Sequence, residues 1–377
     1  MSEDIPVTSA EPTIETSEVS NIPEKYRSRM VINSKYIFEK KIGSGSFGSV
    51  YKGRNIISGD GVAIKFEATT AKLPTLLWES KILNHLAGIP GVVKLRYFGT
   101  ESNKNIIVMD LFSHTLCEEI EKLKKGEEQE KKLEISNQDK TSTESQEQIN
   151  LEQDIPEKRT NSYSELENTK CEDLSTDNKN IDTTDANRGD KFNDEKKIPS
   201  YTKEVTQYLI SMIQIIKRVH DAGVVHRDIK PENFMISLPS TEQKKQESSE
   251  KTLHIIDFGL SIFYMKGDKH VINNKGVVVG TPLFMSRHIH EENTYSRRDD
   301  IISILYVIIY LIKDTLPWDG YNLEGYDKKV ITTSEEICAG IPHVFQKLLD
   351  YAYSLNFEEK PDYSYMIRQC KMLIKTL

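Results

Sequence analysis

Eight consecutive residues, His226-Arg227-Asp228-Ile229-Lys230-Pro231-Glu232-Asn233, followed by Asp257-Phe258-Gly259, constrain this chain more than any other stretch. A carboxylate (Asp228), an ammonium (Lys230) and an amide (Asn233) share one short loop. A second carboxylate, Asp257, follows a strand-turn-strand later. When such a loop folds against a sheet, Asn233 and Asp257 converge as two oxygen ligands for Mg2+, and Asp228 stands as a proton acceptor. Moving a phosphoryl group from ATP to a hydroxyl requires that set, with Lys230 to neutralise charge on the group in flight. Single Asp and Asn residues are more often turn formers or caps, so the reading rests on the joint match of fixed positions.

Upstream, Gly43-Ser44-Gly45-Ser46-Phe47-Gly48-Ser49-Val50 is a glycine loop whose backbone amides can approach phosphates. Glycine patterns of this kind also mark dinucleotide folds, but there the loop opens a helix. Here it continues into Val50-Tyr51-Lys52, a β-like run, which rejects that reading. Lys65 ends a Val-Ala-Ile-Lys strand and is placed to hold the α- and β-phosphates, with Glu79 on the next helix as its partner. Ile42, Val50, Ala63, Met109, Met235 and Ile256 are the natural apolar lining for adenine, with Asp110 and Leu111 as the hinge. His226 and Phe258 read as packing residues, and Arg227 as paired with a backbone or acidic neighbour. Thr281 is either a hydrogen-bond donor to Asp228 and Lys230 or a turn residue. Asp300 either braces the catalytic loop or caps the helix it opens.

The order of elements sets the architecture. Short alternating apolar runs from Tyr36 read as strands: Lys35 to Glu39, Ser49 to Gly53, Val62 to Phe66, Val92 to Tyr97 and Ile106 to Met109. A helix between the third and fourth of these places Leu76, Leu77, Ser80 and Leu83 on one side and Glu79 on another face. Helical periodicity then dominates from Tyr201 to His220 and again after Arg298. Strands first and helices after, with a cleft between them, is a two-lobed α+β architecture. The N-lobe is expected over about 31–110 and the C-lobe over about 111–377.

Residues 1–30 are rich in Ser, Thr, Glu and Pro and read as a disordered tail. Glu121 to Lys197 holds only Tyr163 and Phe192 as aromatics and buries too little apolar area to offset its ordering cost. It reads as a disordered insertion, with a charged helical excursion open near Glu121 to Leu133. A second polar insert spans about Pro239 to Lys251. The long segment carries 21 acidic and 14 basic residues, a net of -7 against -8 for the whole chain. The globular part is therefore almost neutral, which gives nucleic-acid binding no support. The apolar run Ile301 to Ile312 is too short to cross a bilayer and reads as a buried core helix. The acidic N-terminus lacks a signal peptide's pattern, and Cys117, Cys171, Cys338 and Cys370 have no metal or disulfide spacing. A cytoplasmic or nuclear monomer is expected, with no membrane partner.

The chain resembles the casein kinase 1 family of Ser/Thr protein kinases from about Tyr36 to Leu377, apart from the two inserts. Leu76-Leu77-Trp78-Glu79-Ser80-Lys81-Ile82-Leu83 carries the likeness, as do His226 to Phe234 with Glu232 for an Asp and Ser296-Arg297-Arg298-Asp299-Asp300. So do Leu316-Pro317-Trp318, Phe357 to Tyr363 and the lack of an Ala-Pro-Glu triplet. The resemblance implies the protein kinase fold and ATP- and Mg2+-dependent phosphorylation of protein Ser/Thr hydroxyls, at acidic or pre-phosphorylated sites. Where the family has Ala-Arg-Tyr after Gly-Thr, its arginine binding a substrate phosphate, this chain has Pro282-Leu283-Phe284. Ser286-Arg287-His288, Leu305 and a shortened loop from Tyr321 to Lys329 are further departures. Lys275, Arg298, Lys328 and Lys329 are the candidates to replace the missing charge. The competing reading is a catalytically silent scaffold, with partners docking on the fold or on the charged insertion. Such scaffolds commonly lack the equivalents of Lys65, Asp228 or Asp257, and this chain has all three.

Overall fold

A computed structural model describes residues 31–45, 48–71, 74–130, 132, 198–237, 251–274, 276–291, 293–320 and 325–377. Six strands build the first layer: β1 (Val31–Ile32), β2 (Tyr36–Gly45), β3 (Gly48–Asn55), β4 (Gly61–Ala68), β5 (Leu95–Glu101) and β6 (Lys104–Asp110), in the order β1-β2-β3-β4-β6-β5. Every pairing is antiparallel. The alternation of β4 works on both faces. Val62 and Ile64 enter a small core with Ile106 and Val108, while Ala63 and Lys65 turn toward the interlobe side. Between β4 and β5 runs α1 (Leu76–His85), whose buried face is Leu76, Glu79, Ser80, Ile82 and Leu83. Leu77, expected on that face, is 48% exposed, so the apolar stripe is rotated toward Ile82 and Glu79.

The expected strand start at Val92 is displaced. Val93 donates to the carbonyl of Ile255 and Ile255 to that of Gly91, so these residues pair with the second lobe, and β5 begins at Leu95. Next in the chain come β7 (His114–Thr115) and α2, helical over 116–130. This helix covers the first residues of the stretch expected to be an insertion, where a charged helical excursion stood open. Residues 131 and 133–197 of that stretch, residues 1–30, and 238–250, which take in all of the shorter insert but Lys251, lie outside the described residues. Described residues up to 125 and from 198 onward belong to one compact unit.

The second lobe contains α3 (Thr202–Asp221), β8 (Val224–Val225), β9 (Phe234–Ser237), β10 (Thr252–Ile255), β11 (Ile262–Phe263) and the hairpin β12 (Met265–Lys266) and β13 (Lys269–His270). It ends in α4 (Arg287–His290), α5 (Arg297–Lys313), α6 (Gly325–Ile331), α7 (Ser334–Ile337), α8 (His343–Ser354) and α9 (Tyr363–Ile374). The apolar run read as a core helix is α5, buried on nearly every side and packed by α3 and α8. Among the described residues no helix is long and apolar enough to cross a membrane. Cys117, Cys338 and Cys370 are free thiols.

Candidate active site

Two side chains of β4, one turn of the sheet's pleat apart, organise the first half of the site. Lys65 turns toward the cleft. Glu67 is also buried, and its carboxylate accepts from the Thr75 amide (2.7 Å), the Thr75 hydroxyl (3.1 Å) and the Leu76 amide (3.2 Å). It thereby satisfies amides orphaned at the start of α1, complementing the positive end of the helix. One turn later the helix delivers Glu79, whose Oε2 lies 2.9 Å from Lys65 Nζ. Lys65 Nζ also reaches Asp257 Oδ1 at 2.8 Å. Burial alone would lower the Lys65 pKa, but the carboxylates of Glu79 and Asp257 outweigh it and raise the value above the ordinary range. Asp257 is held below the usual carboxylate range: burial opposes its ionisation, and Lys65, with His226 and Lys230 nearby, prevails.

Trp78, the neighbour of Glu79, donates from Nε1 to the carbonyl of Ser261 at 2.6 Å. Its ring meets Phe263 edge-on, and Phe263 in turn packs on His85, whose Nε2 lies 2.8 Å from the Ala222 carbonyl. The helix bearing Glu79 is thus tied to the segment that follows Asp257.

The second half is the loop from His226 to Asn233. Asp228 is buried, and three donors meet it: Thr281 Oγ1 on Oδ1 (2.7 Å), Lys230 Nζ on Oδ2 (2.6 Å) and Asn233 Nδ2 on Oδ2 (3.3 Å). Asn233 Nδ2 also donates to the Asp228 carbonyl at 2.8 Å. Arg227 holds a left-handed φ of 71°, which a residue with a side chain adopts only when its surroundings compel it. Asp300 supplies that constraint. Its Oδ2 accepts from the His226 amide (2.7 Å) and its Oδ1 from the Arg227 amide (3.0 Å). His220 Nε2 lies 2.9 Å from the same Oδ2. A carboxylate only accepts, so Nε2 carries the proton and Nδ1 takes the Tyr363 hydroxyl, 2.7 Å away. Of the two readings of Asp300, the brace is the one these bonds describe. At the same helix start it is Asp299 that accepts from the Ser296 amide.

His226 does more than pack. Its ring meets Phe258 at 4.8 Å, but its Nε2 also bonds the Ile256 carbonyl and its Nδ1 accepts from the Asp228 amide. Arg227 Nε donates to the Leu260 carbonyl, so its partner is backbone, and its guanidinium lies over Tyr295. Gly280 has φ 112°, and a Cβ there would stand 2.5 Å from the Arg227 carbonyl oxygen. Only glycine lets the segment carrying Thr281 lie against the catalytic loop.

A cavity of about 740 Å³ opens above this pair of halves. Of the residues expected at the nucleotide, Ile42, Gly48, Val50, Ala63, Lys65, Met109, Asp110, Leu111, Met235 and Ile256 line it, together with Glu79, Lys230 and Asp257. Gly43 and Gly45 sit on β2, paired with Val50 and Gly48. Ser46 and Phe47, at the tip of the glycine loop, lie outside the described residues. Gly48 has φ 139°, and a Cβ would fall 1.9 Å from the Phe66 carbonyl oxygen, so the loop can close onto β4 only with glycine there. Asp228 and Asn233 do not line it; Lys230, which does, bonds Asp228, and Asn233 bonds Asp228 in turn. Sequence reasoning missed Lys40, Lys52, His114 and Glu118 in the lining, and also missed Glu67, Thr75 and Trp78 behind it.

Two proposed stand-ins for the missing substrate-binding arginine are otherwise engaged. Arg298 donates to the Leu355 carbonyl and lies over Phe357. Lys329 is 1% exposed, beneath the segment that follows Thr281. Lys275 lies outside the described residues.

A strand-borne lysine paired with a helix-borne glutamate, facing a base loop and a magnesium-type aspartate across one cleft, defines a protein kinase. The protein kinase domain model matches residues 36–139 and 170–377, and the chain belongs to that family. Within it the chain is similar to casein kinase I homolog 3 of Schizosaccharomyces pombe, with 28% identity over 347 residues. That match covers 89% of this chain and 61% of the relative, so the chain spans about three fifths of the relative's length.

Proposed function

We propose that the chain is a Ser/Thr protein kinase of casein kinase 1 type, which transfers the γ-phosphate of ATP to Ser and Thr hydroxyls of proteins. The observation that carries this is that Lys65, Glu79, Asp257 and Lys230 line one cleft, with Lys230 bonded to Asp228 and Asp228 held by Thr281. The substrate hydroxyl oxygen forms the new bond to the γ-phosphorus as the bond to the β-phosphate oxygen breaks, and ADP leaves. Asp228 accepts the hydroxyl proton and is held in place for it by Thr281. Lys230 offsets negative charge on the transferring group. Lys65, kept charged and fixed by Glu79, holds the α- and β-phosphates. Ile42, Val50, Ala63, Met109, Met235 and Ile256 enclose adenine beside the hinge at Asp110 and Leu111.

The donor set fits Mg2+. Asn233 turns its Nδ2 into the loop, which leaves Oδ1 for a cation, and Lys65 takes Asp257 Oδ1, which leaves Oδ2. One carboxylate and one amide suit an ion that keeps phosphate and water ligands, and among the described residues no all-protein cage of His, Cys, Asp and Glu exists. Asn233 and Asp257 would hold the ion, which would supply positive charge to offset that of the phosphates.

The domain limits proposed are a kinase domain over 31–377 with inserts near 121–197 and 239–251. The longer insert is a candidate docking segment for partners, in a monomer of the cytoplasm or nucleus. Leu283 in place of an arginine, with Arg298 and Lys329 engaged elsewhere, supports weak discrimination for pre-phosphorylated sites. A radiolabelled-ATP assay on a casein-like substrate tests the whole reading. Asp228→Asn and Asp257→Asn should each lower turnover by on the order of 10²–10⁴. Peptides with and without an upstream phosphate should be used about equally. Wild-type rates in either variant would overturn the residue assignment, and no phosphorylation by the wild type would leave the scaffold reading standing.

A further inference from the structure

The segment directly after Thr281 is tied down from beneath at nearly every residue. Thr281 bonds the base, Asp228. The Leu283 carbonyl accepts from Trp318 Nε1 at 2.8 Å, and Ser286 Oγ donates to Asp299 at 2.6 Å. Between those ties, one side chain holds two carbonyls at once. Lys329 Nζ of α6 donates to Pro282 O at 2.7 Å and to Met285 O at 2.8 Å. Its third contact is His290 Nε2 of α4 at 3.1 Å, with the rings of Trp318 and Tyr306 beside it at 5.0 and 5.7 Å.

Lys329 is among the largest fully buried side chains, and no carboxylate among the described residues pairs with it. A lysine in that setting is costly whether it stays charged or is forced neutral, and a methionine of similar length would fill the space more cheaply. What methionine cannot do is donate to two loop carbonyls. The outer side of the Pro282–Met285 stretch is Pro282, which is exposed, and Leu283, which is half-buried. Both lie within two residues of the side chain that touches the base, so a segment bearing the acceptor hydroxyl has to pass over them.

We propose that Lys329 is a positioning residue for the protein substrate, its Nζ setting the Pro282–Met285 stretch on which the segment bearing the acceptor hydroxyl rests. This builds on the kinase reading above. Its effect should fall on the protein substrate and spare the nucleotide, whose cavity Lys329 does not line.

Lys329→Met in the full chain tests it. Peptide KM should rise about tenfold or more, because small misplacements of a substrate are costly, while ATP KM stays within about twofold. Amide exchange of residues 283–286 should accelerate in the same variant, a readout that needs no catalysis. A folded variant with wild-type peptide KM and unchanged exchange overturns the proposal. So does a parallel rise of both KM values, which would mean a general loosening. If Lys329→Met does not fold, His290→Leu, which removes the third contact, should raise peptide KM in the same selective way, and no rise there overturns the proposal. A wild-type protein that phosphorylates no peptide would instead overturn the kinase reading, and this inference with it.

Discussion

Glu67 shows how much of an active site can rest on a residue that touches neither nucleotide nor substrate. Three donors converge on its buried carboxylate, and they are the ones that start the helix carrying Glu79. Glu67→Gln keeps the shape but turns one acceptor oxygen into a donor that faces other donors. Leaving buried groups unsatisfied in this way costs about 1–3 kcal/mol, so the thermal midpoint should fall. Because the helix start is loosened, ATP KM should rise as the Lys65–Glu79 pair loses its geometry; an unchanged ATP KM would separate the cap from the site. Lys65, Asp228, Asn233 and Asp257 were legible in the sequence because their spacing is fixed by the chemistry of phosphoryl transfer. Glu67 was not, since a carboxylate that caps a helix eight residues on, across a loop, leaves no periodic trace. The expected grouping of Leu77 with Leu76, Ser80 and Leu83, and of Glu79 on another face, is reversed: Glu79 shares the buried face and pairs with Lys65, while Leu77 is exposed.

Among the elements, α5 has two duties. Its apolar run builds the core, and its first turn, with Asp299 and Asp300, reaches out to hold loops. Asp300→Asn would place an amide against the donors His226 N, Arg227 N and His220 Nε2, so at least one tie must break. The left-handed Arg227 would then lose part of its support. Expected outcomes are a loss of about 3–5 kcal/mol in stability, typical of breaking a buried charged network, and a fall in kcat with little change in ATP KM. Denaturant melts and steady-state kinetics on the same preparation check both. That a buried helix spans Ile301 to Ile312 was clear from composition and length. The start of β5 was not, because Val92 and Val93 look like strand residues and are paired, but with Ile255 across the lobe boundary. Alternation identifies an extended segment without naming its partner.

At the scale of the whole molecule, the two lobes could be read from element order, while the support beneath the substrate segment could not. Lys329 stands with Lys328 among the candidates to replace the missing charge, because nothing in Asp327-Lys328-Lys329-Val330 distinguishes the inner lysine from the outer one. Its burial has a consequence for the stability of the entire fold. Burial brings its pKa down from the ordinary 10.5 to about 7. Between those values the unfolded chain holds a proton at this site that the folded chain does not, so folding stability rises with pH across that window. Below pH 7 both states are protonated, and the folded state bears the cost of a buried ammonium. Above pH 10.5 both are neutral and that cost is gone. A neutral amine still has two protons, enough for Pro282 O and Met285 O, and its lone pair can accept from His290 in the other tautomer. His290 is neutral throughout, since burial first and then Lys329 bring its pKa to about 4. The loop ties therefore survive deprotonation, and the change is in the charge alone. Lys329→Met removes the titration and relieves His290 of its neighbour's charge, while burial, the larger cause, still keeps that imidazole neutral. The wild-type midpoint should accordingly rise relative to that of Lys329→Met between pH 7 and pH 9.5, and keep a constant offset between pH 5 and pH 6. Scanning calorimetry of the two proteins across that range decides it: an offset that stays flat above pH 7 would show that the amine remains charged in the fold, held by its two carbonyls and its aromatic neighbours.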